Sequence, residues 1–264
     1  MSKQPLYVIK IGGNVIDDAE KLSAFIRAFA AINGHKILVH GGGKLATRLA
    51  EQLGIEQQVV DGRRITDTET LRVVTMVYAG YVNKTLVAQL QAAGSNAIGL
   101  TGADGNAILA HKRQHPAIDY GFVGDIDSVN AAWLHSLLRE QIDIVMAPIT
   151  HDAHGQLLNT NADTIAQEIA VALSEYYTVD LIYCFEKPGV LSNAADESSV
   201  IGQIDPNSYL RLREEKLIFA GMIPKLDNAF RALEKGVRQV MIGKAEELSL
   251  VIERKSGTAI VPHT

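Results

Sequence analysis

Apolar positions fall into two patterns along the chain, short unbroken runs and longer stretches with apolar residues three or four apart. The first run, Leu6-Tyr-Val-Ile-Lys-Ile-Gly-Gly13, reads as a strand buried on both faces that ends in a lysine and two glycines. Asp17 and Glu20 then precede Leu22, Phe25, Ile26 and Phe29, a start signal and spacing that predict an amphipathic helix. A second unit repeats the design. Ile37-Leu-Val-His-Gly-Gly-Gly43 closes an apolar run on glycines, and Leu45, Leu49 and Leu53 continue at helical spacing. Gln58 to Ile65 has hairpin character and delivers Arg63 and Arg64. Thr66-x-x-Glu69 reads as a capping box for a long helix through Leu71, Val74, Val77, Val82, Leu86 and Leu90. That helix has more apolar surface than one face requires; a dimer contact and a second buried face within the domain both explain it.

Asn96 to Thr101 is another short strand, and the polar, aromatic and glycine-containing residues from His111 to Asp127 read as hairpins or loops. Ala131 to Gln141 is expected to be helical and Ile142 to Ile149 a buried strand. Asn159-Thr-Asn-Ala-Asp163 opens a helix carrying Ile165, Ile169 and Leu173. Asp180 to Phe185 is a strand that runs into a turn, Glu186 to Leu191, and Leu210 to Glu215 a short helix. Ala220-Gly-Met-Ile-Pro-Lys225 leads a helix through Leu226, Ala229 and Leu233, with its proline well placed in a first turn. Gln239 to Ile242 and Thr258 to Val261 close the chain as strands. Strand and helix alternate throughout, which describes an α/β protein. A soft boundary near Tyr176 to Asp180 without any linker fits two lobes sharing one sheet.

Composition narrows the functional classes. The chain has 264 residues, 47% hydrophobic and 21% charged, with a net charge of -5, as a soluble globular protein with a sizeable core does. No basic run or interleaved aromatic pattern marks a nucleic-acid partner. The single cysteine, Cys184, lies in an apolar stretch, which fits a reduced cytoplasmic setting and makes a poor catalytic thiol. Neither a signal peptide nor an apolar run of about 18 residues is present, so no membrane insertion is expected.

The chemistry lies at the strand ends. Strand, glycine turn and helix form an anion cradle, because glycines let main-chain N–H groups approach a phosphate closely and Lys10 adds positive charge. Two such units early in one chain face a common crevice at the carboxyl edge of a sheet. Each feature alone has a plainer reading: Gly12 and Gly13 as a tight turn, Lys10 as a solvated strand end, Asp163 as a first-turn carboxylate, Asn159 or Asn161 as a cap. Two lysines near helix starts, paired glycine turns and a carboxylate together suit phosphoryl transfer, which needs spreading negative charge neutralised. Neither a Walker A loop nor a protein-kinase glycine loop occurs in these turns.

Seven segments carry a more specific signal: Lys10-Ile-Gly-Gly13, His40-Gly-Gly-Gly43, Gly62-Arg-Arg-Ile-Thr66, Val82-Asn-Lys84, Gly121-Phe-Val-Gly-Asp125, Asn159-Thr-Asn-Ala-Asp163 and Gly221-Met-Ile-Pro-Lys225. In this order, over nearly the whole chain, they resemble the N-acetylglutamate kinases of the amino acid kinase family. The resemblance implies a three-layer α/β/α sandwich on a mainly parallel sheet. Residues 1–177 would form an amino-terminal lobe for acylglutamate binding and dimerisation, and residues 178–264 a carboxy-terminal lobe for the nucleotide. It implies transfer of the ATP γ-phosphoryl group to the side-chain carboxylate of an N-acyl-L-glutamate in arginine biosynthesis, with Mg2+ bridging the nucleotide phosphates. Lys10 and Lys225 match lysines that stabilise the phosphoryl group in flight, and Asp163 the aspartate that orients them. Gly42, Gly43, Arg64 and Asn159 match acylglutamate-binding positions. Gly12 and Gly13 match the turn around the nucleotide phosphates. Glu186 to Leu191, with Lys187 and Gly189, and Leu217 to Lys225, with Gly221 and Met222, match nucleotide-side segments.

Two places depart from the family pattern. Phe185-Glu186 stands where Thr-Asp is usual, and the first strand begins within a few residues of Met1, leaving no room for the extra helix of arginine-inhibited hexamers. The expectation is therefore a homodimer across the helix from Thr66 to Ala93, without arginine feedback. N-succinylglutamate, the substrate of another amino acid kinase, and a catalytically idle sensor of the same fold remain alternatives. Arg64 and Asn159 speak against carbamate, aspartate or UMP as acceptor, and Lys10, Asp163 and Lys225 against the sensor.

Overall fold

The computed structural model describes residues 3–60, 63–215, 217–218 and 222–262. In chain order the strands are β1 (Pro5–Ile11), β2 (His35–His40), β3 (Val59–Val60), β4 (Arg63–Arg64), β5 (Ala97–Leu100), β6 (Ile108–Lys112), β7 (Gly124–Val129), β8 (Asp143–Met146), β9 (Ile149–His151), β10 (Leu157–Asn159), β11 (Thr178–Phe185), β12 (Gln203–Ile204), β13 (Gln239–Lys244) and β14 (Thr258–Ile260). The main helices are α1 (Gly13–Ile16), α2 (Ala19–Ala30), α3 (Gly43–Gln52), α4 (Thr68–Thr75), α5 (Asn83–Ala92), α6 (Ala131–Arg139), α7 (Ala162–Leu173), α8 (Pro206–Glu214), α9 (Ile223–Glu234) and α10 (Leu248–Ile252).

One eight-stranded sheet runs β12-β14-β13-β11-β1-β2-β8-β5. Its strands are parallel except across β13 and β14. Buried on both faces, its central strands send alternate side chains to opposite cores. Leu6 and Val8 of β1 join Ile165 and Ile169 of α7 and Leu226 of α9 on one face, whereas Ile9 and Ile11 join Phe25 and Phe29 of α2 and Leu248 of α10 on the other. This makes three layers. The same alternation sends Lys10 to the side of Leu6 and Val8, where α7 and α9 begin. A four-stranded sheet, β10-β9-β6-β7, and the hairpin of β3 and β4 complete the strand structure. Isolated bridges pair Thr66, just beyond the hairpin, with Gly121, and Val123, just before β7, with Asn159 of β10.

Several local expectations shift. The run from Ile142 to Ile149 is two strands, β8 in the main sheet and β9 in the small one, with Ala147-Pro148 between them. A proline offers no N–H to the ladder, so the chain changes sheets there. Asp18, rather than Asp17, caps α2 by accepting from the N–H groups of Glu20 and Lys21; Asp17 pairs with Arg48 at 3.2 Å. Asp67, rather than Thr66, caps α4. The helix expected from Leu210 starts at Pro206, under a capping box of Asp205 and Ser208. The long central helix is interrupted between α4 and α5 by a π-helical segment, Met76–Val82. Leu71, Val74, Val77, Val82, Leu86 and Leu90 are buried within the molecule, while Met76 and Tyr81 are 49% and 67% exposed.

Ile169 is wholly buried under the sheet on the helix that carries Asp163. Ile169→Ala should lower the unfolding free energy by about 2–5 kcal/mol, read as a drop in the urea midpoint at unchanged slope.

Candidate active site

Three chain segments meet at the carboxyl end of β1. Asn161 caps α7 by accepting from the N–H groups of Asp163 and Thr164, which fixes the first turn and aims the Asp163 side chain at the sheet. Lys10 reaches it from the strand, its Nζ 2.7 Å from Asp163 Oδ1. Lys225 reaches the other carboxylate oxygen from the first turn of α9, where Pro224 occupies a position that needs no N–H. Tyr183, paired with Lys10 across β11, donates its hydroxyl to the Asp163 backbone oxygen at 3.3 Å and lies under Lys225. All three charged side chains are largely shielded from water. Burial works against the ionised form of Asp163, yet the two ammonium groups outweigh it and hold the carboxyl far below the usual carboxylate range. Burial, reinforced by the Lys10 charge, pushes Lys225 below the ordinary lysine value against the pull of Asp163. The cluster therefore carries a surplus positive charge.

Two cavities flank this cluster. One, of about 270 Å³, is lined by Gly41 to Gly43, Arg64, Tyr78, Arg113, Asn159 and Asn161 among others. Arg64 donates to the Gly43 backbone oxygen at 3.0 Å, to Thr47 Oγ1 at 2.7 Å and to Gln57 Oε1. These acceptors are uncharged, and no ion pair to Arg64 occurs among the described residues. Its charge is thus available to an anion. Asn159 donates to Thr66 Oγ1 at 3.0 Å, and Thr66 donates to the Arg64 backbone oxygen at 3.1 Å, so one hydroxyl ties the two side chains' strands together. Gly42 has φ +155°, and a Cβ there would stand 2.9 Å from the Tyr78 ring, so only glycine fits.

The second cavity, of about 450 Å³, is lined by Lys10, Gly12, Phe185 to Lys187, Gly189 to Leu191, Met222 and Lys225, with Ala194. Lys187 is paired with Glu197 at 2.8 Å. Gly12 and Gly13 need no left-handed backbone, and a Cβ at either would meet nothing within 4 Å. Gly221 lies outside the described residues. Cys184, on the far face of the sheet, is buried and its thiol pushed up to about 12 by that burial, which leaves it inert.

The structure adds residues that the chain alone left without a role. Arg113 enters the first cavity from β6 and holds Asp125 with its Nε 3.0 Å from both oxygens. Thr47, Gln57 and Tyr78 surround Arg64, separated from it by 7 to 17 positions in the chain, with Tyr78 carried by the π segment. Only the motif character of His40 and Val82-Asn-Lys84 marked the buried network beneath Gly41.

Comparison with known proteins places this geometry in context. Residues 5–244 match the family model described as the amino acid kinase family. The acetylglutamate kinase of Cytophaga hutchinsonii is 54% identical over 261 residues, covering 98% of this chain and 99% of that protein. The acetylglutamate kinase of Phocaeicola vulgatus is 54% identical over 258 residues, covering 98% and 99%. In fold, the N-acetylglutamate synthase of Neisseria gonorrhoeae, solved with coenzyme A and N-acetyl-glutamate, superposes with a TM-score of 0.83 at 22% identity. That match covers all of this chain, 100%, and 61% of the synthase.

Asp163→Asn leaves two ammonium groups facing a neutral amide. At pH 7 it should lower the unfolding free energy by about 3 kcal/mol, measured in urea. Because the Asp163 pKa is depressed in the folded state, its contribution is present above the unfolded value of about 4. The wild-type advantage should therefore hold from pH 8 to pH 5 and shrink only in stronger acid.

Proposed function

Because the chain belongs to the amino acid kinase family, we propose that it transfers the γ-phosphoryl group of ATP to the side-chain carboxylate of N-acetyl-L-glutamate, giving N-acetyl-L-glutamyl 5-phosphate and ADP in arginine biosynthesis. The observation that carries this reading is the Lys10–Asp163–Lys225 cluster between two cavities, in a chain so similar along its length to acetylglutamate kinases.

The acceptor carboxylate is ionised near neutral pH, its pKa being about 4, so attack on phosphorus requires no general base. A new P–O bond forms to that oxygen as the bond to the ADP oxygen breaks, and negative charge spreads over the transferring group. Lys10 and Lys225 neutralise it from two sides. Asp163, far too acidic to take a proton, keeps their ammonium groups at a set separation. Arg64, charged and facing only neutral acceptors, receives the α-carboxylate of the acylglutamate in forked geometry, with Asn159 and the backbone of Gly42 and Gly43 beside it. Gly12, Gly13, Glu186, Lys187, Gly189, Leu191, Gly221 and Met222 serve the nucleotide. Magnesium enters this reading through the nucleotide phosphates, whose charge it would help to neutralise.

The cavity linings support a division of labour at residue 177. The first cavity is built from residues 41–164, and the second from residues 185–225 together with Lys10 and Gly12. Met76 and Tyr81, large and exposed on the helix beside the first cavity, support a homodimer across that helix. No helix among the described residues is long and apolar enough to cross a membrane.

A second acyl group has one observation in its favour. Arg113 gives the acylglutamate cavity a second guanidinium, and a terminal carboxylate on the acyl chain, as in N-succinyl-L-glutamate, would compete with Asp125 for it.

Incubation with magnesium-ATP and N-acetylglutamate, N-succinylglutamate, glutamate or aspartate, with hydroxylamine trapping of the acyl phosphate, decides among these. Product from N-acetylglutamate is expected; product from free glutamate but from neither acyl derivative would overturn the proposal. Under the second reading N-succinylglutamate is the better substrate, and Arg113→Ala lowers its kcat/KM at least about tenfold while sparing N-acetylglutamate. Lys10→Ala and Lys225→Ala should each reduce kcat by about 10²–10³. Arg64→Ala should instead raise the acylglutamate KM by about ten- to a hundredfold.

A further inference from the structure

The glycine turn between β2 and α3 rests on a buried polar chain whose direction is set by its first member. Lys84 Nζ donates to Asn83 Oδ1 at 3.1 Å and to the Gly99 backbone oxygen at 2.8 Å. An ammonium group has no acceptor to offer, so the Asn83 oxygen must face Lys84 and its NH₂ must face the other way. That NH₂ meets the Val145 backbone oxygen at 2.9 Å and His40 Nε2 at 3.2 Å. His40 Nε2 is therefore the acceptor, and the ring proton sits on Nδ1. Nδ1 lies 2.7 Å from the Gly41 backbone oxygen, to which it donates. Every link has one polarity and none can run backwards.

Both members of the middle pair are deeply enclosed, His40 at 0% exposure and Asn83 at 1%. Burial keeps the imidazole neutral, pushing it down to about 4, so Nε2 retains its lone pair at neutral pH. The π segment explains how Asn83 gets there. An α-helix brings residues three and four apart onto one face, whereas a π turn brings residues five apart close together. Tyr78, packed on Gly42, and Asn83, bonded to His40, are five apart across Met76–Val82 and both face the glycine turn.

At the other end, Gly41 is held twice, its N–H donating to the Ile11 oxygen at 3.1 Å and its carbonyl accepting from His40. The Gly41–Gly42 peptide is trans, so drawing that carbonyl toward His40 turns the Gly42 N–H the opposite way, and all three glycines line the first cavity. Helix α3, capped by Gly42, has no side-chain cap for its first N–H groups.

We propose that His40 is a positioning residue: Lys84 and Asn83 fix its tautomer, and it locks the Gly41–Gly42 peptide so that the Gly42 N–H meets the anionic groups in the crevice. The inference rests on the phosphoryl-transfer reading above and assigns to that reaction a support that touches no substrate. A misaimed donor loses most of its worth in the transition state, where charge develops, and less in ground-state binding.

The test compares His40→Leu, which removes both nitrogens, with His40→Asn, whose amide places a donor where Nδ1 was. His40→Leu should lower kcat at least about tenfold with both KM values within about threefold, and His40→Asn should bring kcat back to within about threefold of wild type. Should His40→Leu fail to fold, Gly99→Ala perturbs the same chain from outside, since a Cβ there would overlap the Asn83 amide oxygen, and should lower kcat in the same way. Long-range ¹⁵N NMR of wild-type protein should find His40 protonated at Nδ1 only, from pH 8 to pH 5. Full kcat in His40→Leu, no recovery in His40→Asn, or an Nε2–H tautomer would each overturn the proposal. An inactive wild type would instead defeat the kinase reading, while the tautomer would still report on the chain itself.

Discussion

One carboxylate holds this molecule's chemistry together. Asp163 receives an ammonium group on each oxygen, one from a strand at the amino end of the chain and one from a helix more than two hundred residues later. Like charges brought so close repel, and in a largely dry environment that repulsion is severe. The carboxylate makes the approach tolerable, and the local surplus of positive charge is what an incoming anion meets. Everything else in the fold either aims these three groups or keeps them sheltered.

Their aiming follows from the sheet. With β1 between β11 and β2, its side chains alternate between two cores, and Lys10 continues the row of Leu6 and Val8 toward α7 and α9. Both helices begin at the carboxyl end of the strands, so Asp163 and Lys225, each in a first turn, arrive at the level of Lys10. A shift of one residue in the β1 register would bury the ammonium group on the opposite face. The apolar pairing that fixes the register thereby fixes the charged cluster.

The two sides of the crevice are prepared differently. On one, Arg64 is held in place by neutral oxygens, which orient the guanidinium without spending its charge. On the other, Lys187, which lines the cavity, is already paired with Glu197. On the Arg64 side the Gly41–Gly43 turn lines the cavity with main chain rather than side-chain charge. It takes its shape from a left-handed Gly42 against Tyr78 and from the polar chain beneath it.

The order of elements, the α/β class and the strand-end position of Lys10 were legible in the amino-acid sequence, because burial imposes a local periodicity that survives in one dimension. Asp163 and Lys225 could be placed in helix starts for the same reason. The three-layer arrangement was implied by the family resemblance and not by that periodicity. Helix caps slipped by a residue at Asp18 and Asp67, since neighbouring polar residues compete for one role and only the backbone path decides between them. Pro148 broke a seemingly single strand into two sheets, and the π turn at Met76–Val82 shows in the apolar series only as one five-residue step, from Val77 to Val82, inside what otherwise reads as a continuous helix. What tertiary structure alone decided was proximity across the chain: Arg113 beside the glycine turn, Thr47 and Gln57 around Arg64, and Asn83 against His40. Those contacts depend on how distant elements pack, and a linear pattern of hydrophobic and polar residues carries the faces of each element but not which faces meet.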